Sequence, residues 1–292
     1  MQILLTFLIS TVLACGSLYL FWWACFGPPA QGSLPILAYH KVDTRLELGG
    51  TMISPKRFAG HLAYFKKNGY QSVTLSQAVE LMRQGSGGGK RYLCLTFDDA
   101  YAGLYQHAFP LLKEYGFTAT VFVVTDYAGR PNEWDINWGG LKFGHLTWEQ
   151  MKAMQAWGIE FGSHAKTHRD LRFLSPEKLR EELEGSKRKM EQELGVPVTT
   201  LSYPFGLYDE KVKQAARDAG YLSACSLSPG MKNDKIDLYA LRRCGVYVTD
   251  ILWDIKHKID HDSPWFWLQD LWCRLVNWCA GGTALAKRVL KQ

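Results

Sequence analysis

The sequence has 292 residues, of which 47% are hydrophobic and 21% are charged, and its formal net charge is +6. This is an ordinary globular balance. The basic residues are scattered and form no stripe with aromatic residues, which argues against nucleic acid as a partner. The seven cysteines include no CxxC pair and no dense spacing, so we expect packed thiols rather than a disulfide framework.

The first element along the chain is an uncharged segment at residues 3–26, ILLTFLISTVLACGSLYLFWWACF. It is longer than the roughly 20 residues that a helix needs to cross a bilayer. Trp22 and Trp23 near its end suit the membrane interface. A cleaved signal peptide has a basic start and a shorter apolar stretch. The segment VLACGS resembles a lipoprotein cleavage site at Cys15, but the apolar run continues ten residues past it. We therefore expect residues 1–28 to form an uncleaved membrane anchor with a transmembrane helix, in preference to a cleaved signal or a lipoprotein.

Short β-rich runs then alternate with helical patterns. The predicted strands are LPILAY, YQSV, YLCLTF, TATVFVV, IEFGS, TTLSY, YLSACS and LRRCGVYV, and the predicted helices cover 55–67, 75–84, 102–115, 147–157, 176–194 and 208–219. Glycine separates a helix from the next strand in KKNGY, KEYGF, QAWGI and RDAGY, which is the expected helix stop. This alternation predicts an α/β fold with seven or eight strands, arranged as a barrel or an open sheet.

Polar side chains follow several of these strands. His40 ends the first strand, Asp98 and Asp99 follow YLCLTF, and His164 and His168 follow IEFGS. In an α/β barrel the catalytic residues collect at the carboxyl ends of the strands. Taken singly, the aspartates could cap a helix and the histidines could be exposed surface residues. Taken together, they favour one shared site.

Two histidines and one carboxylate make an open three-ligand site, which is typical of catalytic zinc and related metals. The spacing of His164 and His168 lets two imidazoles meet one ion within a compact loop. A fourth position is left for water, whose pKa the metal lowers from 15.7 towards about 7. The pattern therefore indicates a metal-activated water as nucleophile.

In this order, LTFDDAY, SHAKTH and SYPFGLYDE resemble the polysaccharide deacetylase family with the NodB-type domain, carbohydrate esterase family 4. The resemblance covers roughly residues 34–250 and implies a distorted (β/α) barrel of seven to eight strands. It also implies that Asp98 is the general base and that Asp99, His164 and His168 hold a divalent metal ion. Zinc is the first candidate for this ion, with cobalt, nickel or iron as alternatives.

Most family members carry a catalytic histidine in a leucine-x-histidine motif near the end of the domain, and this chain lacks that motif after LRRCGVYV. The chain is similar to a circularly permuted branch, which includes deacetylases of biofilm poly-N-acetylglucosamine and places this histidine on the first strand. The resemblance therefore implies that His40 is the general acid. Two departures stand out, since Ser202 replaces a motif arginine and Ala100 replaces a glycine; Arg242 or Arg243 could supply the missing charge.

The turn formed by Tyr203, Pro204, Phe205 and Gly206 follows the strand TTLSY. Proline and glycine punctuate many loops, so the segment could be a plain turn. Its position after a strand of the barrel favours the alternative that these four residues bind substrate.

The chain ends in a tryptophan-rich amphipathic tail at residues 251–292. Apolar residues recur there at helical spacing, with polar residues opposite and basic residues following: Trp265, Leu268, Leu271, Trp272, Leu275 and Cys279; Asp270, Arg274 and Asn277; Lys287, Arg288 and Lys291. One interpretation is a helix packed on the barrel. The other is an interfacial helix that lies on the membrane through residues 264–292.

We therefore expect a metal-dependent hydrolase that removes N-acetyl groups from an N-acetylhexosamine polysaccharide and releases acetate. The alternatives are an O-acetyl esterase acting on a glycan and an inactive glycan-binding module of a polysaccharide export system. The family's substrates imply a membrane-anchored protein whose catalytic domain lies outside the cytoplasm, in the periplasm or at the cell surface.

Overall fold

The computed structural model describes residues 2–45, 50–85, 89–132, 142–227 and 235–289, and it describes no side chains for residues 2–5, 8, 9 and 279–289. The helices of the described residues are α1 (Gln2–Cys25), α2 (Pro55–Lys67), α3 (Leu75–Arg83), α4 (Phe109–Tyr115), α5 (Trp148–Ala156), α6 (Pro176–Leu194), α7 (Glu210–Asp218), α8 (Leu252–Ile259) and α9 (Phe266–Val289). The strands are β1 (Ile36–Tyr39), β2 (Lys41–Val42), β3 (Met52–Ile53), β4 (Tyr70–Val73), β5 (Arg91–Phe97), β6 (Thr120–Val123), β7 (Glu160–Ser163), β8 (Thr200–Ser202), β9 (Ser223–Ser226), β10 (Leu241–Arg242) and β11 (Cys244–Gly245).

The main sheet is a nearly closed parallel barrel. Its strand order is β10-β9-β8-β7-β6-β5-β1-β11, and β4 pairs with the first half of β5. β10 and β11 stand at opposite ends of this order, yet a single residue, Arg243, separates them in the chain. The sheet must therefore curl until its two ends meet. This confirms the α/β fold that the alternation of strands and helices predicts, and of its two possible arrangements it is the barrel that the family resemblance implies.

The helices begin and end where local sequence signals place them. Ser54 and Ser175 cap α2 and α6 through their side chains, and a proline follows each of them. Gly116 and Gly195 end α4 and α6 in left-handed conformation. The predicted helix at 102–115 is divided, because a π-helical turn at Leu104–Ala108 precedes α4.

The strand register brings the predicted site residues to one edge of the barrel. Tyr39 of β1 lies opposite Phe97 of β5, and the Asp98 amide donates to the Tyr39 carbonyl at 2.9 Å. Ser163 of β7 lies opposite Leu201 of β8. The residues that follow β1, β5, β7 and β8 therefore emerge at the same carboxyl-terminal edge, which is the functional edge of such barrels.

The N-terminal segment is helical, but the predicted transmembrane anchor is not supported. Across the described ranges, the structure contains no helix with both the length and the apolar character that crossing a membrane requires. Trp22, which we expected at a membrane interface, is instead 3% exposed. Its indole Nε1 donates to Asp270 of α9 at 2.7 Å, and its ring packs against Phe266. These contacts attach the end of α1 to the body of the protein.

The tail helix packs on the barrel, in agreement with the first of its two interpretations. α9 contacts β11, α8, α1 and the turn at Pro204–Gly206. The face that it buries carries polar residues alongside Phe266 and Cys273. Asp270 and Asn277 are buried, and Asn277 accepts from the Tyr247 hydroxyl at 2.8 Å and donates to the Leu227 carbonyl at 2.7 Å. Position 291 and the side chains of positions 279, 287 and 288 lie outside the described residues.

Four cysteines, Cys94, Cys225, Cys244 and Cys273, are buried with free thiols, as predicted from their spacing. The division of the chain into regions 1–28, 34–250 and 251–292 stays a prediction.

Candidate active site

Three predicted metal ligands converge at the carboxyl edge of the barrel. Asp99, His164 and His168 each offer one ligand atom, and these atoms lie within 4.8 Å of one another. The Asp99 Oδ1 atom is 3.6 Å from His164 Nε2 and 3.5 Å from His168 Nε2. The Nδ1 atom of His164 donates to the Ser202 carbonyl at 2.7 Å, which directs its Nε2 lone pair towards Asp99. Two imidazole nitrogens and one carboxylate oxygen are a donor set that fits a zinc-like divalent ion.

Backbone strain marks the same three motifs. In the described ranges, the non-glycine residues with left-handed backbone are Asp99 (φ 69°), Ala100 (φ 52°), Ala165 (φ 62°), His168 (φ 57°) and Phe205 (φ 59°). Each such residue costs on the order of 1–3 kcal/mol, and such strain persists mainly at functional sites. At position 100 this backbone explains why a glycine would suit the motif and why alanine there is strained.

Asp98 is clamped by a buried arginine. Arg243 donates through Nη1 to Asp98 Oδ1 and through Nη2 to Asp98 Oδ2, both at 2.7 Å. Its Nη2 also donates to the Ser202 hydroxyl at 2.8 Å, and its Nη1 to Thr96 Oγ1 at 3.1 Å. Burial raises the pKa of Asp98, but the charges of Arg243 and His164 and the hydrogen bonds from Arg243 outweigh it. The pKa of Asp98 is therefore held well below its usual value, and the carboxylate stays ionised.

The structure decides which arginine compensates for the serine at position 202. Arg243 contacts both Asp98 and the Ser202 hydroxyl, whereas Arg242 donates to Asp270 of α9 at 3.0 Å. The two residues are neighbours in the chain, but only Arg243 lies at the junction of β10 and β11, where it turns into the barrel.

His40 follows β1 and lies beside Asp98. Burial is the main cause that lowers its pKa to about 4; Asp98 opposes this shift, while Arg243 and His164 reinforce it. Its Nδ1 atom is buried and has no hydrogen-bond partner in the described part of the chain. The imidazole is therefore neutral at neutral pH, before any reaction places a new charge next to it.

The turn at 203–206 forms one wall of the site. Tyr203 is fully buried, and its hydroxyl donates to the Tyr239 carbonyl at 3.0 Å. Gly206 has a φ of 68°, and a Cβ there would lie 2.6 Å from the Leu227 nitrogen, so only glycine fits. The Phe205 ring is half-buried, with its centroid 4.6 Å from that of His168.

Within this turn Pro204 is buried like Tyr203, so Phe205 is the side chain of the four that a substrate could touch. The substrate-binding role of the turn as a whole stays a prediction.

Two supporting residues were not found by sequence reasoning. The Nδ1 atom of His145 donates to the Asp99 carbonyl at 2.7 Å, and its ring stacks on Tyr101. Glu182 of α6 accepts from the backbone amides of Lys166 and Thr167 at 2.8 and 2.9 Å, which holds the loop between the two histidines. No local pattern marks His145, whereas the acidic Glu182 on the buried side of an amphipathic helix was a signal that could have been used.

Comparison with known proteins agrees with this geometry. The sequence profile of the polysaccharide deacetylase family matches residues 85–224. A relative in Bacillus subtilis, YxkH, is described as a candidate polysaccharide deacetylase; it is 33% identical over 225 residues, which cover 77% of this chain and 74% of YxkH.

Two further similarities extend this result. The poly-β-1,6-N-acetyl-D-glucosamine N-deacetylase of Staphylococcus aureus is 23% identical over 190 residues, 62% of this chain and 63% of that enzyme, which is less than two thirds of its length. The structure of the Streptococcus pyogenes deacetylase PplD superposes with a TM-score of 0.69 at 24% identity, over 80% of this chain and 99% of PplD, and it supports the fold. The chain belongs to the polysaccharide deacetylase family.

Proposed function

We propose that this protein is a metal-dependent deacetylase that hydrolyses N-acetyl groups on an N-acetylhexosamine polysaccharide and releases acetate. The observation that carries the proposal is an ionised carboxylate, Asp98, clamped by Arg243 beside a three-ligand set. The similarity to a poly-β-1,6-N-acetyl-D-glucosamine N-deacetylase favours an amide on a glucosamine polymer over an ester.

The three-ligand set would hold the Lewis acid of the proposed reaction. A divalent cation held by Asp99, His164 and His168, with zinc as the first candidate, would polarise the acetyl carbonyl and lower the pKa of a water molecule. The His164 Nδ1 hydrogen bond to Ser202 and the hold of Glu182 on the loop at 166–167 keep the two imidazoles oriented for this task.

Asp98 is the general base in this proposal. It takes a proton from the attacking water, and its low pKa means that it is ionised before the substrate arrives. Arg243 prevents the carboxylate from rotating, because both of its oxygens are bonded to the same guanidinium group. The clamp therefore supplies orientation, at the cost of making Asp98 a weaker base.

His40 is the general acid for the departing amine. An amide nitrogen leaves poorly without a proton, and general acid assistance contributes about 10²–10⁴-fold to the rate. The neutral imidazole of the resting site receives the proton that the neighbouring Asp98 took from the water, because negative charge on the tetrahedral intermediate raises the pKa of a histidine, and it passes this proton to the leaving nitrogen. We assign the Phe205 backbone N–H as a donor to that oxyanion, where one donor is worth roughly 3 kcal/mol.

The decisive experiment measures acetate and free amine together. The purified full chain is incubated with poly-β-1,6-N-acetylglucosamine, chitin oligomers, peptidoglycan and acetylated xylan, with bound metal measured in the same preparation. We expect equal amounts of acetate and amine from at least one N-acetylated polymer, and loss of both after chelation. Acetate without amine would make the protein an O-acetyl esterase, and binding without acetate would make it a glycan-binding module.

The proposed substrates also indicate where in the cell the catalytic domain lies. Structural polymers of N-acetylhexosamine lie outside the cytoplasm, so we place the catalytic domain in the periplasm or at the cell surface. Protease accessibility of the domain in intact cells or spheroplasts tests this placement, and protection in both would contradict it.

A further inference from the structure

α9 buries several polar side chains, together with Phe266 and Cys273, and leaves a row of large apolar side chains in solvent. Its polar residues Gln269, Asp270 and Asn277 are buried against the barrel. An apolar row that begins at Trp265, directly before α9, faces solvent, with exposed fractions between 40% and 78% for Trp265, Leu268, Trp272, Leu275 and Trp278. A helix that only completed a water-soluble barrel would present polar side chains to solvent, not a row of large apolar ones. The outward row therefore has a reason other than packing within the chain.

α1 continues this apolar surface. Its residues 10–21 are exposed on every side of the helix, and residues 3–26 contain no charged side chain. The two helices touch, because the Tyr19 ring lies 5.6 Å from that of Trp267 and Trp22 donates to Asp270. We define the tryptophan face as the exposed row at and directly before α9 (Trp265, Leu268, Trp272, Leu275 and Trp278) together with α1 residues 10–21 and Trp23.

The shape and chemistry of the tryptophan face select its occupant. A groove on a protein partner would cover one side of α1, whereas residues 10–21 are apolar or uncharged and exposed on all sides. The described part of the face also carries no charge that could set the register of a protein partner. Lipid covers a helix from every side that reaches into it, and tryptophan and tyrosine rings favour the boundary between headgroups and acyl chains.

We propose that the tryptophan face is a lipid-binding surface that holds the protein at a membrane by insertion into the interface. The contact is a peripheral one, made by the outward row of α9 and the protruding part of α1 together. The sequence beyond the described side chains adds Lys287, Arg288 and Lys291, which is the charge that anionic headgroups attract. α9 also contacts the turn at Pro204–Gly206, so the membrane-facing helix touches a wall of the candidate active site.

Vesicle binding tests the proposal with the full chain. The protein is floated with large unilamellar vesicles of phosphatidylcholine, with and without phosphatidylglycerol, and its tryptophan fluorescence is measured with brominated phosphatidylcholine. We expect flotation, quenching by the bromolipid, and tighter binding when phosphatidylglycerol is present. A wild-type protein that stays off both vesicles and shows no quenching would overturn the proposal.

Matched double variants identify the face. Trp272→Glu with Leu275→Glu should lower vesicle binding about tenfold or more, since both side chains lie on the face. Val196→Glu with Leu222→Glu adds the same charge at exposed apolar positions elsewhere and should bind like the wild type. Equal vesicle binding by the two variants would contradict the assignment of lipid binding to the tryptophan face.

A second copy of the chain is the competing occupant. The tryptophan face would belong to a second copy if the wild type forms a dimer but does not bind vesicles, and if the Trp272→Glu, Leu275→Glu variant is monomeric. Light scattering over a range of concentrations detects such a dimer. Acetate release from a soluble oligomer should be unchanged in both variants, so failure here is separable from failure of the proposed deacetylase activity.

Discussion

Arg243 and Asp98 form a two-bond ion pair inside the barrel, and both side chains are almost completely buried. Arg243 owes its position to barrel closure, because it is the single residue between β10 and β11 at the two ends of the sheet. The closure of the barrel therefore places the arginine that keeps the proposed base, Asp98, ionised. Removing one partner of such a buried pair costs about 3–5 kcal/mol, because the other charge stays buried without compensation.

The first prediction concerns the arginine clamp. Arg243→Lys keeps a positive charge but loses the planar fork that bonds both oxygens of Asp98. We expect kcat/KM to fall at least about tenfold and its acid limb to move to higher pH, because the pKa of Asp98 rises when the clamp weakens.

Arg242→Lys is the matched control for the clamp. Arg242 is the adjacent arginine, and it pairs with Asp270 instead of Asp98. Its pH profile of kcat/KM should coincide with that of the wild type. An acid limb that moves equally in both variants would mean that the clamp does not control Asp98.

The second prediction separates the proposed base from the ligand set. Asp98→Asn removes the proton acceptor while leaving Asp99, His164 and His168 in place. We expect kcat to fall by about 10²–10⁴-fold with metal content unchanged. The measurement pairs acetate release with metal analysis of the same sample.

Asp126→Asn, which changes an exposed aspartate, serves as the control and should retain full activity. Loss of the metal from Asp98→Asn would instead show that Asp98 is a ligand.

The third prediction concerns His168. His168→Ala removes one of the three ligand atoms, so we expect metal content and activity to fall together. Bound metal stabilises the folded chain by about 2.7 kcal/mol at a free concentration of 100 Kd, and the variant should lose this gain. Thermal unfolding with and without a chelator measures it.

His107→Ala, at a half-buried histidine away from the cluster, should keep the chelator-sensitive part of the stability. Full activity in a metal-depleted His168→Ala protein would contradict the scheme.

The fourth prediction is a pH dependence of stability that originates away from the site. Burial is the main cause that lowers the pKa of His61 from 6.5 to about 4, and Arg57 and Lys258 add to it. As pH falls below 6.5, the unfolded chain binds this proton first, so stability is full above 6.5 and is lost between 6.5 and about 4. One such group contributes a slope of up to about 1.4 kcal/mol per pH unit.

Urea unfolding of the chelated protein at several pH values between 4.5 and 7 measures this slope. His61→Gln keeps a polar group near the Tyr39 hydroxyl, which lies 3.2 Å from His61 Nδ1, and should flatten the dependence. Identical slopes in wild type and variant would assign the effect to other groups, among them His40 and His261, whose pKa values are lowered in the same direction.

The sequence by itself determined an α/β fold and the convergence of its chemical groups, whereas closure into a barrel was implied by the family resemblance and not by the strand pattern. Apolar strands that end in His40, in Asp98 and Asp99, or in the HAKTH loop place polar groups at the carboxyl edge, and parallel pairing brings these edges together. Both signals are local, since strand periodicity, helix caps and glycine stops depend on residues a few positions apart. Such patterns can be recognised from short stretches of sequence alone.

Only the tertiary structure decided which of two adjacent arginines reaches Asp98 and which face of α9 meets the barrel. Arg242 and Arg243 are chemically identical, and an amphipathic stripe shows that a helix has two faces without showing which one is buried. The same holds for His145 and Glu182, whose contacts span 46 and 16 positions of the chain. These choices depend on barrel closure and on packing between distant segments, which no short stretch of sequence contains.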